Sequence, residues 1–251
     1  MLVQYISDIH LEIFHPMKVE HIARIIPVKA DILVLAGDIG IPHHLDNHYE
    51  KFLDILSTKF KKIFIIAGNH EFYTSYSMQS VIQKIKQIID KMPNISFLNN
   101  SWEDYDGFRW IGTTLWSEVD ENTPYLINDT AQIQGLTPSS YNLIHLNCKT
   151  FLTKTLDFSK DKKCIIITHH IPSYSLIDAE YLSIDKTPYN QWFAANLDCL
   201  ILAHSNTIKA WFYGHTHIPS IHQLESIQFV CNPIGYPNEN IVKDYSKTIK
   251  L

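Results

Sequence analysis

Arginine is almost missing: Arg24 and Arg109 are the only two in 251 residues, and lysine supplies nearly all the positive charge. Arginine forks are the usual protein device for gripping phosphate. A chain that handled phosphate without them would need another source of positive charge. The formal net charge is −5, which leaves no broad basic face for duplex nucleic acid. Cysteine is also scarce. Cys148, Cys164, Cys199 and Cys231 show no C-x-x-C spacing, which excludes a disulfide framework and points to a reducing compartment. Cys164 and Cys231 lie in or beside apolar runs and read as buried thiols. No apolar run approaches the roughly 20 residues that span a bilayer. The opening MLVQYISDIHLE has neither a basic start nor a long apolar stretch, so a cytoplasmic protein with no membrane partner is expected. Repeats, low-complexity tracts and Gly/Ser linkers are all lacking, and a single domain over 1–251 is the expected organisation.

Histidine is what the chain has in excess, with 14 copies, many in short clusters, on a background of 45% hydrophobic and 19% charged residues that is ordinary for a globular protein. Short β-branched runs end abruptly in polar clusters. Residues 2–7 run into Asp8, 31–37 into Asp38, 62–68 into Asn69, 163–168 into His169, and 209–214 into His215. Each run has the length and composition of a buried strand. Helical periodicity lies between them. Tyr49, Phe52, Leu53, Leu56 and Phe60 share one face of 47–60; Met78, Ile82, Ile85, Ile88 and Ile89 share one face of 77–92; 141–158 is a third helix. A further strand is read at 107–116. Strands alternating with helices predict a layered α/β fold. Two stretches, about 117–140 and 171–192, lack clear periodicity and read as loops or lids.

Ligands of open α/β sheets bind at the carboxyl ends of strands. Here five strand ends carry Asp8 with His10, Asp38, Asn69 with His70, His169 with His170, and His215 with His217. Carboxylate, imidazole and amide groups suit divalent transition metals. There are too many for one tetrahedral site, whereas two metals about 3.5–4 Å apart, sharing a carboxylate, would use most of them. Each motif alone is weak: GDIG and GNHE are turn-like, THH is more suggestive, and GHTH is the strongest. Five strands ending in ligand chemistry make a chance arrangement improbable.

The order D-x-H, GD, GNHE, H, GHTH from Asp8 to His217 resembles the calcineurin-like metallophosphoesterase superfamily. The tail CNPIGYPNE and the Leu-Trp after the central strand are similar to a group of small, mostly uncharacterised members. The resemblance implies an α/β/β/α fold, two β-sheets sandwiched together and flanked by helices. It implies a centre of two divalent ions, Mn, Fe or Zn with Mn favoured. Asp8, His10 and His217 would hold one ion, Asn69, His169 and His215 the other, and Asp38 would bridge them. It implies that His70 stabilises the phosphoryl group or protonates the leaving oxygen while a metal-bridging hydroxide attacks. The charges agree: Asp38 offsets two cations at once, Asn69 ligates without adding negative charge, and neutral imidazoles keep the centre positive. His170 either packs behind the ligands or touches substrate. His145 reads as a core residue. His43 and His44 follow the GDIG loop and could face the site, but read as loop surface, as do His15, His21, His48, His204 and His222.

Two departures stand out. Many members carry a second Asp three residues after the bridging one, where this chain has Ile41, so the acidic partner of His70 is expected to be missing. Related small members often show Arg after Asn-Pro, where this chain has Ile234. The expected activity is hydrolysis of small phosphomono- or diesters, a nucleotide among the candidates. Of the loop aromatics Phe72, Tyr73, Trp102, Trp116, Tyr125, Tyr174, Tyr181, Tyr189 and Trp192, most are expected to pack the sheet edges and a lid, though aromatics can stack on a base; a phosphodiesterase or nuclease on single-stranded nucleic acid is the alternative. A non-catalytic metal-bearing binding protein is the reading from another class. A structural zinc protein would favour clustered cysteines, which are not there. The oligomeric state is left open.

Overall fold

A computed structural model describes residues 1–122, 127–183 and 187–251. Its strands form two sheets. The first contains β1 (Leu2–Ile6), β2 (Ile32–Ala36), β3 (Lys62–Ile66), β4 (Ile95–Phe97) and β11 (Thr248–Lys250) in the order β11-β1-β2-β3-β4. The second contains β5 (Ser101–Tyr105), β6 (Phe108–Thr113), β7 (Lys163–Thr168), β8 (Ile208–Tyr213), β9 (Ser220–Leu224) and β10 (Ile227–Cys231) in the order β5-β6-β7-β8-β10-β9. Each sheet is parallel at its centre and takes its antiparallel pairings at the edges, through β11 on β1, β5 on β6, and β9 on β10.

The central strands read as unbroken apolar runs because both of their faces are buried. Successive side chains alternate between them. Tyr5, Val34, Phe64, Ile165, Ile167 and Phe212 fill the space between the sheets, where Phe64 stacks on Trp110 at 4.2 Å between ring centres. Leu33, Leu35, Ile63, Ile65, Ile166 and Trp211 face outward into the cluster that includes the helices. On the first sheet those are α1 (Pro16–Ile25), α2 (His48–Ser57) and α3 (Met78–Ile89). All five residues predicted on the buried face of 47–60 are buried. In the helix predicted over 77–92, Ile85 and Ile88 are buried and Met78, Ile82 and Ile89 pack partly against the same cluster. The stretch predicted as helix over 141–158 begins earlier, as α5 (Pro138–Phe158). The Thr137 hydroxyl accepts from the Ser140 N–H, and Pro138 supplies a first-turn residue that has no N–H to satisfy.

The loop stretches hold short elements that periodicity cannot reveal: α4 (Asp129–Gln132) in the first, and two 3₁₀ turns with α6 (Thr187–Phe193) in the second, followed by α7 (Asp198–Ala203). Of the histidines read as loop surface, His15, His21 and His222 are exposed, but His48 and His204 are buried. His48 opens α2 beneath the loop that precedes it, and His204 closes α7, 3.6 Å from Asp157. His145 is buried, with Nδ1 3.1 Å from the Leu115 carbonyl. Ile234, in the place of the expected arginine, joins the core. Tyr125 lies outside the described residues. Among the described residues, no helix is long and apolar enough to cross a membrane.

Candidate metal centre

The strand ends of the two sheets meet at one place. The segments after β1 and β2 run side by side, with Asp8 N–H donating to Gly37 O and His10 N–H to Asp38 O, both at 3.0 Å. The segment after β10 joins them, with Gly235 N–H donating to Asp8 O at 2.8 Å. Gly214 N–H donates to His169 O at 3.0 Å and ties the ends of β7 and β8. Asp8, His10, Asp38, His215 and His217 all hold left-handed backbone, with φ between 50° and 70°. Such non-glycine conformations cost roughly 1–3 kcal/mol each and persist where surrounding structure imposes them, often at functional sites. Gly214 opens GHTH, where a glycine commonly permits a turn. Its own φ is not left-handed, and what it contributes is space, since a Cβ there would sit 2.8 Å from Asp8 Oδ2. Gly68 plays the same part beside Asp38, where a Cβ would lie 2.1 Å from Oδ1.

The seven candidate ligands and His70 come together here. Atoms of Asp8, His10 and His217 lie within 4.8 Å of one another, as do atoms of Asp38, His169 and His215, and atoms of His10, Asp38 and His70. Asp38 Oδ2 is 3.2 Å from His169 Nε2 and 3.9 Å from His10 Nε2. Asn69 Oδ1 is 3.0 Å from His169 Nε2, and Asp8 Oδ1 is 3.4 Å from His217 Nε2. The Asp8 carboxylate also accepts from the His215 N–H.

The hydrogens on these side chains decide whether the group fits a cation. His10 Nδ1 faces Glu12 Oε1 at 3.0 Å and His217 Nδ1 faces Glu239 Oε2 at 2.8 Å. Each carboxylate takes the Nδ1 hydrogen, leaving lone pairs on both Nε2 atoms, which face each other at 3.1 Å. His169 Nδ1 lies 3.0 Å from the Ala36 carbonyl and must donate to it. Its Nε2 then faces two acceptors, Asp38 Oδ2 and Asn69 Oδ1. The Asn69 amide is fixed in that sense because its Nδ2 donates to Asp129 Oδ1 at 2.8 Å. His215 Nε2 is buried with no hydrogen-bond partner. Acceptors that converge with no hydrogen between them require a shared positive charge, and the residues fit divalent metal. Protons supply that charge when metal is absent. Burial alone would lower both imidazoles, but Asp38 lifts His169 to about 10 and Asp8 lifts His217 to about 9. His215, flanked by the imidazoles of His170 and His169, has its pKa pushed well below the usual value by burial and by those neighbours.

Sequence reasoning missed the residues that orient this set. Glu12 follows D-x-H by two positions, outside the ligand pattern. Its Oε1 faces His10 Nδ1 and also His70 Nδ1, the latter at 3.1 Å. The acidic partner of His70, expected to be missing because of Ile41, is thus supplied from the loop after β1. Burial would raise the Glu12 carboxyl, but hydrogen bonds from His10 and His70 push it down to about 2. Glu71, the last residue of GNHE, is fully buried and accepts from the N–H groups of Gly68, Asp38 and Ile39 at 2.6–3.0 Å. Burial and Asp38 nonetheless raise it to about 8. Asp129 sits in the aperiodic stretch, and Glu239 in the tail. Only contacts between distant segments reveal them.

His70 is half-buried at the edge of the centre. Its N–H donates to Asp38 Oδ1 at 2.8 Å, and its Nε2 lies 3.3 Å from the Tyr236 hydroxyl. Burial alone would lower its pKa; the Asp38 and Glu12 carboxylates outweigh burial and raise it. His170 does not line the cavity. It is buried behind His215 at 4.3 Å between ring centres, with Nε2 3.1 Å from the Tyr141 hydroxyl. A cavity of about 530 Å³ opens beside the centre. Its lining combines Asp38, Asn69, His70, His215 and His217 with the apolar and aromatic side chains of Ile127, Ile171, Ile177, Tyr181, Tyr189 and Phe193. Neither arginine reaches it. Arg109 pairs with Asp104 at 2.8 and 2.9 Å and stacks on Trp102, and Arg24 is exposed on α1.

The family model for calcineurin-like phosphoesterases matches residues 1–219. The chain belongs to that family. An uncharacterized protein of Acanthamoeba polyphaga mimivirus is 28% identical over 266 residues, covering 95% of this chain and 92% of its own. Among solved structures, phosphopantetheinyl hydrolase from Mycobacterium tuberculosis superposes with a TM-score of 0.73 at 17% identity, covering 94% of this chain and 89% of its own. The TT1561 protein of Thermus thermophilus superposes with a TM-score of 0.60 at 15% identity, covering 92% and 88%. Both share the fold of two sheets flanked by helices. This calcineurin-like phosphoesterase is a metal-dependent phosphoric ester hydrolase. Tyr236 and Glu239 fall after the matched residues.

Proposed function

We propose that the centre holds two divalent ions and hydrolyses small phosphomono- or diesters whose organic group occupies the apolar side of the cavity. Asp8, His10 and His217 would hold one ion and Asn69, His169 and His215 the other, with Asp38 placed between the two groups. The observation that carries this reading is the 3.1 Å approach of His10 Nε2 and His217 Nε2 beside the Asp8 carboxylate, with each ring's other nitrogen facing a carboxylate of its own. When bound, the ions supply Lewis acidity toward the phosphoryl oxygens and a more acidic water at neutral pH. They also provide the phosphate-binding charge that the two arginines do not bring.

His70 transfers a proton from Nε2 to the leaving oxygen, with Nδ1 held by Glu12 and Nε2 within reach of Tyr236. Glu12 and Glu239 fix the tautomers of His10 and His217, and Asp129 fixes the Asn69 amide, so the ligand atoms are aimed before substrate arrives. His170 supports the His215 ring from behind. The stretches 117–140 and 171–192 supply the outer wall through Ile127, Ile177, Tyr181 and Tyr189, and shape the preference for the ester's organic group. Among the described residues, no lysine or arginine lines the cavity, whereas Asp129 and Glu239 do. That arrangement favours a small ester over single-stranded nucleic acid, whose backbone calls for a cationic track.

Glu12 links the geometry to a pH dependence. A general acid works while protonated, and activity is lost as pH rises through its pKa. The Glu12 anion raises that pKa, so Glu12→Gln is expected to shift the alkaline limb of kcat/KM to lower pH. An unmoved limb would separate Glu12 from His70 protonation.

The proposal as a whole is tested with metal-stripped protein, Mn²⁺, p-nitrophenyl phosphate and bis(p-nitrophenyl) phosphate. Mn²⁺-dependent turnover of at least one ester is expected, and chelator should abolish it. Protein that binds its metal but turns over neither ester would instead favour the binding-protein reading.

A further inference from the structure

A second group of ligand-competent side chains lies outside the centre, where the loop after β2 enters α2. The sequence His44-Leu45-Asp46-Asn47-His48 spaces two imidazoles and a carboxylate by two residues. One ligand atom from each of His44, Asp46 and His48 lies within 4.8 Å of the others. Asp46 Oδ2 is 3.6 Å from His48 Nε2 and 3.9 Å from His44 Nδ1. The two imidazole rings stack at 4.2 Å between centres.

His48 makes this more than a polar loop. Its side chain is 2% exposed. Nδ1 lies 3.2 Å from the Leu11 carbonyl, which can only accept, so Nδ1 carries the hydrogen. Nε2 is then a lone pair, buried and without a hydrogen-bond partner. The Asp46 carboxylate, 3.6 Å away, is also an acceptor and cannot satisfy a lone pair. A buried acceptor left unpaired is rare and costly. A cation between His48 Nε2 and Asp46 would satisfy both. Asp46 and His44 are open to solvent, with 51% and 28% of their side chains exposed, which gives an ion a way in.

We propose that His44, Asp46 and His48 form a further metal site, separate from the phosphoesterase centre and suited to Zn²⁺. Two imidazole nitrogens and one carboxylate oxygen, with a fourth position for water, match a borderline transition ion. Ca²⁺ and Mg²⁺ would call for oxygen ligands instead. The site has a structural consequence. Leu11, whose carbonyl His48 holds, lies between His10 and Glu12. An ion that fixes the His48 ring also steadies the segment carrying one candidate ligand and the partner of His70.

The test is calorimetric titration of Zn²⁺ into metal-stripped native protein and into H44A/D46A, with thermal unfolding followed at each equivalent. Neither replaced side chain belongs to the core or to the centre. The native protein should take up one more equivalent than the variant and gain unfolding temperature with it. Equal stoichiometry would overturn the site. Asp46→Asn, which keeps the shape, is the milder check. It should weaken that equivalent by roughly 10–100-fold, because the amide removes the charge that a divalent ion meets at this solvent-open position, and unchanged affinity would equally count against the proposal.

Discussion

Replacing His70 by alanine is expected to lower turnover by roughly 10²–10⁴, the range for a general acid–base group, while metal content stays unchanged. His70 sits where two roles are geometrically open. Its atoms approach those of His10 and Asp38 closely enough to join a ligand set, yet its Nδ1 is held by Glu12 and its Nε2 by Tyr236. A ring anchored at both nitrogens by protein groups suits proton transfer better than coordination. Metal analysis beside steady-state kinetics separates the two. Loss of turnover with full metal supports the acid role, and the alkaline limb that Glu12 tunes should disappear with the imidazole. Loss of metal would make His70 a ligand. Unaffected turnover would leave it with neither role.

Asp38→Asn should empty the centre more thoroughly than any other single change of similar size. The side chain is buried, with Oδ2 facing His169 and His10 from opposite groups of candidate ligands. Its carboxyl is held well below the usual range despite burial, because the imidazoles of His169, His70 and His10 surround it. The amide keeps the shape and removes the charge. Two unit charges about 4 Å apart attract by about 4 kcal/mol at an effective dielectric of 20; a divalent ion feels more, so the loss in affinity for each ion should be at least roughly 10³. Metal content at both positions should therefore fall, and turnover with it. Two full equivalents of metal together with native activity would show that Asp38 does not serve both ions.

The candidate ligands are legible in the chain because their signal is local. A parallel strand buried on both faces is a continuous apolar run, and it must stop where the chain reaches the open end of the sheet. Asp8, Asp38, Asn69, His169 and His215 each stand at such a stop. Those stops, with the helical periodicity between them, carry the layered α/β fold, the buried faces of the helices, the chemistry gathered at the strand ends, and the family. The sequence also showed that arginine would not bind the phosphate, since there are only two, and the structure places both away from the cavity.

Tertiary structure alone decided how those groups are aimed. Glu12, Asp129 and Glu239 hold His10 and His70, Asn69, and His217 respectively, from segments whose spacing carries no periodic signal. Glu12 fills the place left by Ile41 because the loops after β1 and β2 run side by side. Gly214 matters for the room it leaves Asp8 rather than for its own turn. His48 looks like loop surface until the packing of α2 buries it and strands one nitrogen without a partner. In each case the deciding contact joins positions far apart in the chain or depends on what covers them. Hydrophobic periodicity reports only which side of its own element a residue takes, so the orientation of a side chain at a site waits for the three-dimensional neighbours.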